Sequence, residues 1–230
     1  GIMLALREIE HKNFSIDSLV GDTRITDGRK IYDAIKSNLY RANVTPDTKR
    51  DKLLSQFSVI KDTTKINEKD ATLGKTPLRH YTEFLYNSIY KNIRYHNSAE
   101  DYLGRFYGEF MSYSGGDGQT LGIVLTPKHI TELFCDLAQL KTTDKVFDPC
   151  CGTAGFLIAA MHKMVKMTED ESQRRSIKRD QLFGIELQSY MFTIATTNMI
   201  LRGDGKSNLH NMDFLRQKPK QIQLKGCTVG

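Results

Sequence analysis

The stretch that decides the fold is VFDPCCGTAGFL, residues 146–157. An apolar pair ends in an acid, Asp148, and a turn with two glycines, Gly152 and Gly155, leads into another apolar run. This pattern is typical of the start of a βαβ unit, in which the turn lies at the carboxyl end of the strand. Glycines there let backbone N–H groups approach a ligand closely. The stretch therefore predicts a ligand-binding turn, although a plain strand-to-helix connection has the same outline.

Short apolar stretches alternate with helical patterns on both sides of this turn. Strands separated by helices indicate the parallel sheet of an α/β protein. The charged segment 168–180 lies between one helix and the following strand. The alternation predicts strands at 122–125, 145–148, 181–187 and 208–214, and helices from Thr126 to about Leu140, from about Ala154 to Met167 and from about Ser189 to Arg202.

The first hundred residues are more charged, and their apolar residues recur at helical spacing in 28–40 and 76–94. The polar stretch 59–76 between them is predicted to be a loop. The opening residues, GIMLALREIEHKNF, are predicted to be a helix whose upstream part is missing. We expect a helical domain at 1–100, a connecting helix and glycine-rich loop at 101–122, and the first part of an α/β domain at 123–230.

The composition, 39% hydrophobic and 26% charged over 230 residues, is that of a soluble protein. No stretch approaches the ~18 apolar residues of a membrane span, and the apolar part of the opening residues is too short and has the wrong flanks for a secretion signal, so we expect a cytoplasmic protein without a membrane partner. The net charge of +6 permits a nucleic-acid partner without requiring one. The cysteines lack CxxC spacing and a histidine at metal-ligand spacing, which disfavours a metal or redox site. They are Cys135, Cys150, Cys151 and Cys227.

An acid lies at the end of each of three successive predicted strands: Asp148, Glu186 and Asp213. Each acid alone is typical of a solvated strand end, but the carboxyl ends of parallel strands share one edge of a sheet, so we expect the three to lie together. A dinucleotide is disfavoured because one glycine of G-x-G-x-x-G is missing. Glu186 also lies 31 residues beyond Gly155, whereas a dinucleotide site expects its acid after about 20.

An acid in front of the glycines suits a cationic ligand, and S-adenosylmethionine is such a ligand. Its amino-acid end suits Asp148, directly or through water, and its ribose hydroxyls suit Glu186. Its adenine amine suits Asp213, with Phe214 beside it to face the ring. The sequence therefore favours S-adenosylmethionine as the cofactor.

Four motifs occur in order: GIVLTP (122–127), DPCCGTAGFL (148–157), GIEL (184–187) and NMDFL (211–215). Together they resemble the modification subunit of type I restriction-modification systems, an adenine-specific DNA methyltransferase. Segment 101–113 resembles the helix that joins the two domains of that family. The resemblance implies a Rossmann-like, S-adenosylmethionine-dependent methyltransferase sheet, incomplete in this chain and preceded by an N-terminal helical domain.

The resemblance also implies which residues bind the cofactor. The segment that would contact its methionine part is Ile123, Val124, Leu125, Thr126, Pro127 and Lys128. The residues of the main cradle would be Asp148, Gly152, Thr153, Ala154 and Gly155, with Glu186 on the ribose and with Asp213 and Phe214 on the adenine. Independently of the family, Thr126 can cap a helix that has Pro127 at its first position.

The family's catalytic motif, Asn-Pro-Pro followed by an aromatic residue, is absent from residues 1–230, and we expect it shortly after Gly230. The resemblance implies no metal. The implied reaction is methylation of the exocyclic amine of adenine in double-stranded DNA, with the base flipped out of the duplex. The implied partners are a specificity subunit and, in a complete complex, a restriction subunit.

Other functions stay open at this point. A single-chain restriction and methylation enzyme would carry the same methyltransferase core. Enzymes that methylate RNA or a protein glutamine share the fold and the catalytic motif. A non-catalytic scaffold that binds S-adenosylmethionine would lack only the motif, and a dinucleotide oxidoreductase is the least favoured alternative.

Overall fold

The computed structural model describes residues 1–91, 125–203, 208–217 and 226–230. The chain divides into two units, Gly1–Asn97 and Ser98–Gly230. The predicted connecting helix and loop at 101–122 lie outside the described residues. So does the predicted strand at 122–125, except for Leu125, which belongs to no strand. The domain boundaries at 100 and 122 stay a prediction.

The first unit is helical in its described part. Helical spacing predicted helices at 28–40 and 76–94. The first is confirmed as α2 (Asp27–Arg41) and the described part of the second as α6 (Pro77–Leu85) with the turn that follows it, whereas 92–94 lie outside the described residues. The Thr26 and Thr76 hydroxyls cap these helices by accepting the N–H groups of Arg29 at 3.2 Å and Arg79 at 3.0 Å. The loop predicted at 59–76 was wrong where two short helices form, α4 (Val59–Asp62) and α5 (Thr64–Asn67), which are too short for periodicity to show. The helices are α1 (Ile2–Arg7), α2 (Asp27–Arg41), α3 (Asp47–Phe57), α4 (Val59–Asp62), α5 (Thr64–Asn67) and α6 (Pro77–Leu85), which continues into a π-helical turn at Tyr86–Tyr90.

A buried carboxylate, Glu8, joins α1 to α2. Its side chain is shielded from solvent and accepts hydrogen bonds from the amides of Asn13 at 3.0 Å and Asn38 at 3.1 Å. The guanidinium of Arg41 donates to it at 3.2 and 3.3 Å. Burial raises the pKa of Glu8, but the hydrogen bonds from Arg41, Asn13 and Asn38 outweigh burial and hold the pKa below its ordinary value. A charge is stable in this core because its donors replace water.

The second unit is built on a parallel sheet of β1 (Val146–Asp148), β2 (Leu182–Glu186) and β3 (Asn208–Asn211), in that spatial order. The register places Asp148 opposite Gly184, and Glu186 opposite Asn211. On the other side of β1, Val229 forms an isolated parallel bridge with Val146. The last residues of β1 and β2 therefore lie at one edge of the sheet, as the sequence predicted.

Four helices are described in this unit: α7 (Lys128–Leu137), α8 (Gly155–Lys166), α9 (Glu171–Asp180) and α10 (Ser189–Leu201). The predictions for α8 and α10 are confirmed to within a residue or two. The helix predicted from Thr126 begins later and ends earlier. Helix α9 lies in the charged segment 168–180 and was not predicted, because it buries a single apolar residue, Ile177. None of the described helices is both long and apolar enough to cross a membrane.

A close approach at Gly184 allows the layers of this unit to pack. A Cβ at Gly184 would lie 2.7 Å from Cδ2 of Leu209 and 3.0 Å from Cδ1 of Leu157. It would also lie 3.1 Å from Cβ of Cys151. A Cβ would therefore force Leu209 to move and would crowd Leu157 and Cys151, so glycine at this position favours the close packing of α8 and the turn before it on β2.

We expect Glu8→Gln to lower the free energy of unfolding by about 2 kcal/mol at pH 7, because hydrogen bonds to a buried charge lose strength when the charge is removed. The depressed pKa of Glu8 means that its contribution is complete above the unfolded pKa of about 4.3 and is lost as the pH falls through the folded pKa. The destabilisation should therefore shrink between about pH 5 and pH 3. Denaturant unfolding against pH measures both effects. Asp33→Asn, which removes an exposed ion pair with Arg29, should change stability little.

Candidate cofactor-binding site

The glycine turn, residues 149–155, connects β1 to α8. Gly152 has a backbone φ of +53° and Ala154 a φ of +72°, so both lie in the left-handed region. Glycine adopts this conformation freely, whereas alanine pays about 1–2 kcal/mol for it. Ala154 is fully buried at the position before α8. The strained conformation therefore has to be held by contacts around it.

Three backbone hydrogen bonds fix the glycine turn. The N–H of Cys151 donates to the carbonyl of Ile185 at 2.9 Å, and the N–H of Gly152 donates to Oε2 of Glu186 at 3.0 Å. Within the turn, the N–H of Ala154 donates to the carbonyl of Cys151 at 2.7 Å. The turn is thus bonded to the last two residues of β2.

Glu186 is held at the end of β2 from two directions. Its Oε1 accepts the N–H of Gln188 at 2.7 Å, while Oε2 accepts Gly152. Its backbone carbonyl accepts the side-chain amide of Asn211 at 2.7 Å and the N–H of Met212 at 3.2 Å. A carboxylate has about four lone-pair directions. Two N–H donors therefore orient Glu186 and leave it able to accept from hydroxyl groups.

Asp148 is the last residue of β1, and its Oδ1 accepts the N–H of Cys150 at 3.1 Å. Burial raises the pKa of Asp148, and the negative charge of Glu186 raises it further, while the Cys150 N–H acts in the opposite direction. The negative charge of ionised Asp148 is therefore not fully compensated by its surroundings. A cation in front of the glycine turn would compensate it.

Asp213 and Phe214 follow β3 after one intervening residue. Asp213 caps a short 3-10 turn at Phe214–Arg216, with its Oδ1 accepting the N–H of Leu215 at 3.0 Å and its Oδ2 3.3 Å from Nε of Arg216. The ring of Phe214 lies 5.9 Å from the ring of Phe147, centroid to centroid. The structure thus brings Phe214 beside β1, whereas the Asp213 carboxylate is engaged with its own turn.

Of the predicted methionine-contacting segment, Ile123 and Val124 lie outside the described residues. Leu125 is half-buried, and Thr126, Pro127 and Lys128 are exposed at the start of α7. The prediction that Thr126 caps this helix was wrong. Pro127 takes the cap position, and its carbonyl accepts the N–H groups that begin α7.

Helix α7 packs beside α8, which begins at the glycine turn. The rings of Phe134 and Phe156 meet edge to face at 5.5 Å. Cγ2 of Thr131 lies 3.9 Å from the position that a Cβ would take at Gly155. Residues 125–128 are therefore next to a helix that packs on the candidate site, and their contact with a cofactor stays a prediction.

The two neighbouring cysteines of the turn differ in their exposure. Cys151 is buried, and burial, together with Asp148 and Glu186, raises the pKa of its thiol, so the thiol stays protonated. Cys150 is exposed. Among the described residues, no three His, Cys, Asp or Glu side chains are grouped to hold a metal ion.

Three residues that shape the site were not predicted: Gly184, Asn198 and Asn211. The Asn211 side chain joins the ends of β2 and β3, donating to the carbonyls of Glu186 and Leu187 and accepting from the Ser189 hydroxyl at 2.8 Å. Asn198 donates to the carbonyl of Thr153 at 3.0 Å. The signal in the sequence for Asn198 was an asparagine within the run TTNMIL, but its hydrogen-bond partner lies 45 residues away in the chain.

A family model described as N-6 DNA methylase matches residues 98–225. The chain belongs to the N-6 DNA methylase family. It is 46% identical over 210 residues to the type II restriction enzyme and methyltransferase RM.BcgI of Heyndrickxia coagulans, which covers 90% of this chain and 32% of that protein. It is 30% identical over 116 residues to the type I restriction enzyme EcoEI methylase subunit of Escherichia coli, covering 48% of this chain and 23% of that subunit.

A solved structure supports the same fold for this N-6 DNA methylase. The crystal structure of a modification subunit from Vibrio vulnificus YJ016 matches with a TM-score of 0.59 and 18% identity, over 96% of this chain and 51% of that one. At this identity, the likeness concerns the fold alone. The chain spans about a third or less of the two curated relatives. Family membership confirms the resemblance predicted from the four motifs.

We expect Asp148→Asn to stabilise the ligand-free methylase at pH 7, because it removes a half-buried negative charge whose ionisation is opposed by desolvation and by Glu186. The sign follows from the raised pKa: the folded state favours protonated Asp148, so ionisation costs stability above the folded pKa, and this cost disappears as the pH falls through it. The asparagine Oδ1 can still accept the N–H of Cys150. Denaturant unfolding should give a higher midpoint for the variant at pH 7 and a difference that shrinks towards pH 4. A lower midpoint at pH 7 would contradict the assignment.

Proposed function

We propose that the protein containing this chain transfers a methyl group from S-adenosylmethionine to the exocyclic amine of adenine in double-stranded DNA. Membership of the N-6 DNA methylase family supports this reaction. We further propose a Rossmann-like sheet. Its strands lie side by side in the order β3-β2-β1, and the segment that contains Val229 bridges to the other side of β1. In doubly wound sheets with this order, ligands bind outside the strand ends next to the first strand.

The observation that carries the cofactor proposal is the hydrogen bond from Gly152 to Glu186, which joins the glycine turn to the acid of the next strand. It puts a backbone cradle and an oriented carboxylate at adjacent strand ends. Apart from its chain neighbours, no described heavy atom lies within 4 Å of the position that a Cβ would take at Gly152. The surface of the turn is therefore open to a ligand. The incompletely compensated negative charge of Asp148 favours a cationic one.

Each residue then has a role in binding. Asp148 would face the positively charged amino-acid end, with the backbone of residues 152–155 beside it. Glu186 would accept the ribose hydroxyls, and Asp213 and Phe214 would hold the adenine. Residues 123–128 would contact the methionine part. S-adenosylmethionine supplies an electrophilic methyl group when bound, and these residues orient the ligand and exclude water, so that positioning accounts for much of the catalysis.

The DNA and protein partners are part of the proposal. The target adenine would leave the duplex to reach the cofactor, as enzymes that modify bases require. Because the relative from Escherichia coli is named as a methylase subunit of a type I restriction enzyme, we propose a specificity subunit and a restriction subunit as partners. Because the proposed substrate is DNA, we also propose that the protein acts in the cytoplasm.

A single-chain enzyme is the second candidate, and one observation favours it. RM.BcgI, 46% identical over 90% of this chain, is named as both a restriction enzyme and a methyltransferase. We therefore propose the same methyl transfer within a polypeptide that also cleaves DNA. The complete purified protein decides between the two: methylation and cleavage without any added subunit indicate the single-chain enzyme, and a requirement for a separate subunit indicates the type I arrangement.

The reaction is tested by incubating the complete protein with labelled S-adenosylmethionine and double-stranded DNA. Digestion to nucleosides and mass spectrometry should find the label as N6-methyladenine. Label in RNA or in a protein glutamine would contradict the DNA assignment. Cofactor binding without transfer to any substrate would favour a scaffold.

We expect Glu186→Gln and Glu186→Ala to weaken S-adenosylmethionine binding by at least about tenfold, because hydrogen bonds from a ligand to a charged acceptor are lost. The glutamine variant keeps the side-chain shape, so its unfolding midpoint shows whether the site remains formed. Calorimetric titration measures the dissociation constant. Glu171→Ala, on the exposed end of α9, is the matched control and should bind as the parent does. Parental affinity in Glu186→Ala would remove Glu186 from the ribose site.

A further inference from the structure

A buried asparagine of α10, Asn198, contacts the glycine turn from inside the protein. Its side chain has no solvent exposure, and its Nδ2 donates to the backbone carbonyl of Thr153 at 3.0 Å. At the other end of the amide, Oδ1 accepts Nη1 of Arg202 at 3.3 Å, and the same Nη1 lies 3.2 Å from the carbonyl of Asn198. One side chain thus links α10 to the middle of the turn.

The chemistry of the two partners fixes the orientation of this amide. A backbone carbonyl only accepts hydrogen bonds, and a guanidinium only donates them. The NH₂ group of Asn198 must therefore face Thr153, and its oxygen must face Arg202. Because a buried amide without partners costs about 1–3 kcal/mol, a reversed side chain would leave both ends unsatisfied.

The carbonyl that Asn198 holds lies at the most constrained point of the turn. Thr153 is buried between Gly152 and Ala154, both of which have left-handed backbones. The N–H of Ala154 in the same peptide donates to the carbonyl of Cys151 within the turn, whereas Asn198 holds the carbonyl of this peptide from the side of α10. Fixing that carbonyl fixes the peptide plane that leads into the strained Ala154.

We infer that Asn198 is a positioning residue of the cofactor site, which keeps the glycine turn in its left-handed conformation through the Thr153 carbonyl. The inference rests on the proposed function, because it assigns the turn to S-adenosylmethionine. Asn198 is buried behind the turn and acts on the ligand only through Thr153. Its loss should weaken binding of the cofactor more than it slows the transfer of a bound methyl group.

The first test compares Asn198→Ala and Asn198→Asp with Thr197→Val in the complete protein. Thr197 is its neighbour on α10, is also buried, and donates to the carbonyl of Thr193 at 2.8 Å, within its own helix. We expect Asn198→Ala to raise the dissociation constant and the KM for S-adenosylmethionine about tenfold, as for one lost hydrogen bond. Turnover at saturating cofactor should stay within about twofold of the parent, as for a loss of uniform binding.

The isosteric Asn198→Asp should bind the cofactor more weakly still, because a carboxylate oxygen would oppose the Thr153 carbonyl. Thr197→Val should keep the parental dissociation constant even where its unfolding midpoint falls. If Asn198→Ala does not fold, Asn198→Asp carries the comparison. Parental affinity for S-adenosylmethionine in a folded Asn198 variant overturns the inference.

A second readout needs no ligand. Cys151 is buried in the turn, and Cys135 is similarly buried on α7. The alkylation rate of Cys135 is therefore the internal reference for that of Cys151. Alkylation by N-ethylmaleimide, mapped by peptide mass spectrometry, should become several-fold faster at Cys151 relative to Cys135 in Asn198→Ala but not in Thr197→Val. Unchanged protection of Cys151 overturns the positioning role. If the parent binds no S-adenosylmethionine, the proposed function fails, and the alkylation ratio alone then decides whether Asn198 holds the turn.

Discussion

Two backbone N–H groups, those of Cys151 and Gly152, hold the glycine turn against the end of β2. The first donates to the carbonyl of Ile185 and the second to the carboxylate of Glu186. This pair sets the direction in which the chain leaves β1 and therefore where α8 begins. It also favours a glycine at position 184, since a side chain there would crowd residues of the turn, α8 and β3. The candidate binding edge and the packing of this unit thus depend on the same contact.

Two acids, the buried Glu8 and the half-buried Asp148, differ in how their charge is compensated. Glu8 is surrounded by donors from Arg41, Asn13 and Asn38, which hold its pKa low, so this carboxylate completes a structural network. Asp148 has one backbone donor and a second acid nearby, and burial raises its pKa. A carboxylate left short of positive charge at a strand end is typical of a functional site. The charge of Glu8 is thus compensated within the first unit, whereas that of Asp148 is compensated less fully, as the proposed binding of a cation would require.

The helices and the acids at strand ends show which features of this structure can be predicted from sequence patterns. Helical spacing of apolar residues revealed α2 and α6, and the alternation with apolar strands revealed α8 and α10. Helix α9 escaped because its surface is charged almost throughout, and α4 and α5 because four residues show no period. Asp148 and Glu186 were placed correctly at strand ends, since an apolar run that stops at an acid marks that position. The binding roles of these residues stay predictions.

The sequence by itself determined the family, the alternation of strands and helices, and the turn that follows β1, because each depends on residues close together in the chain. Only the tertiary structure decided that Glu186 receives the N–H of Gly152 and that Asn198 holds the carbonyl of Thr153. It also decided that Ala154 takes the left-handed conformation, which a sequence shows reliably only at glycine. The two hydrogen bonds join residues that lie 34 and 45 positions apart in the chain. Hydrogen bonds across such distances depend on how the layers pack, and no local pattern of residues encodes them.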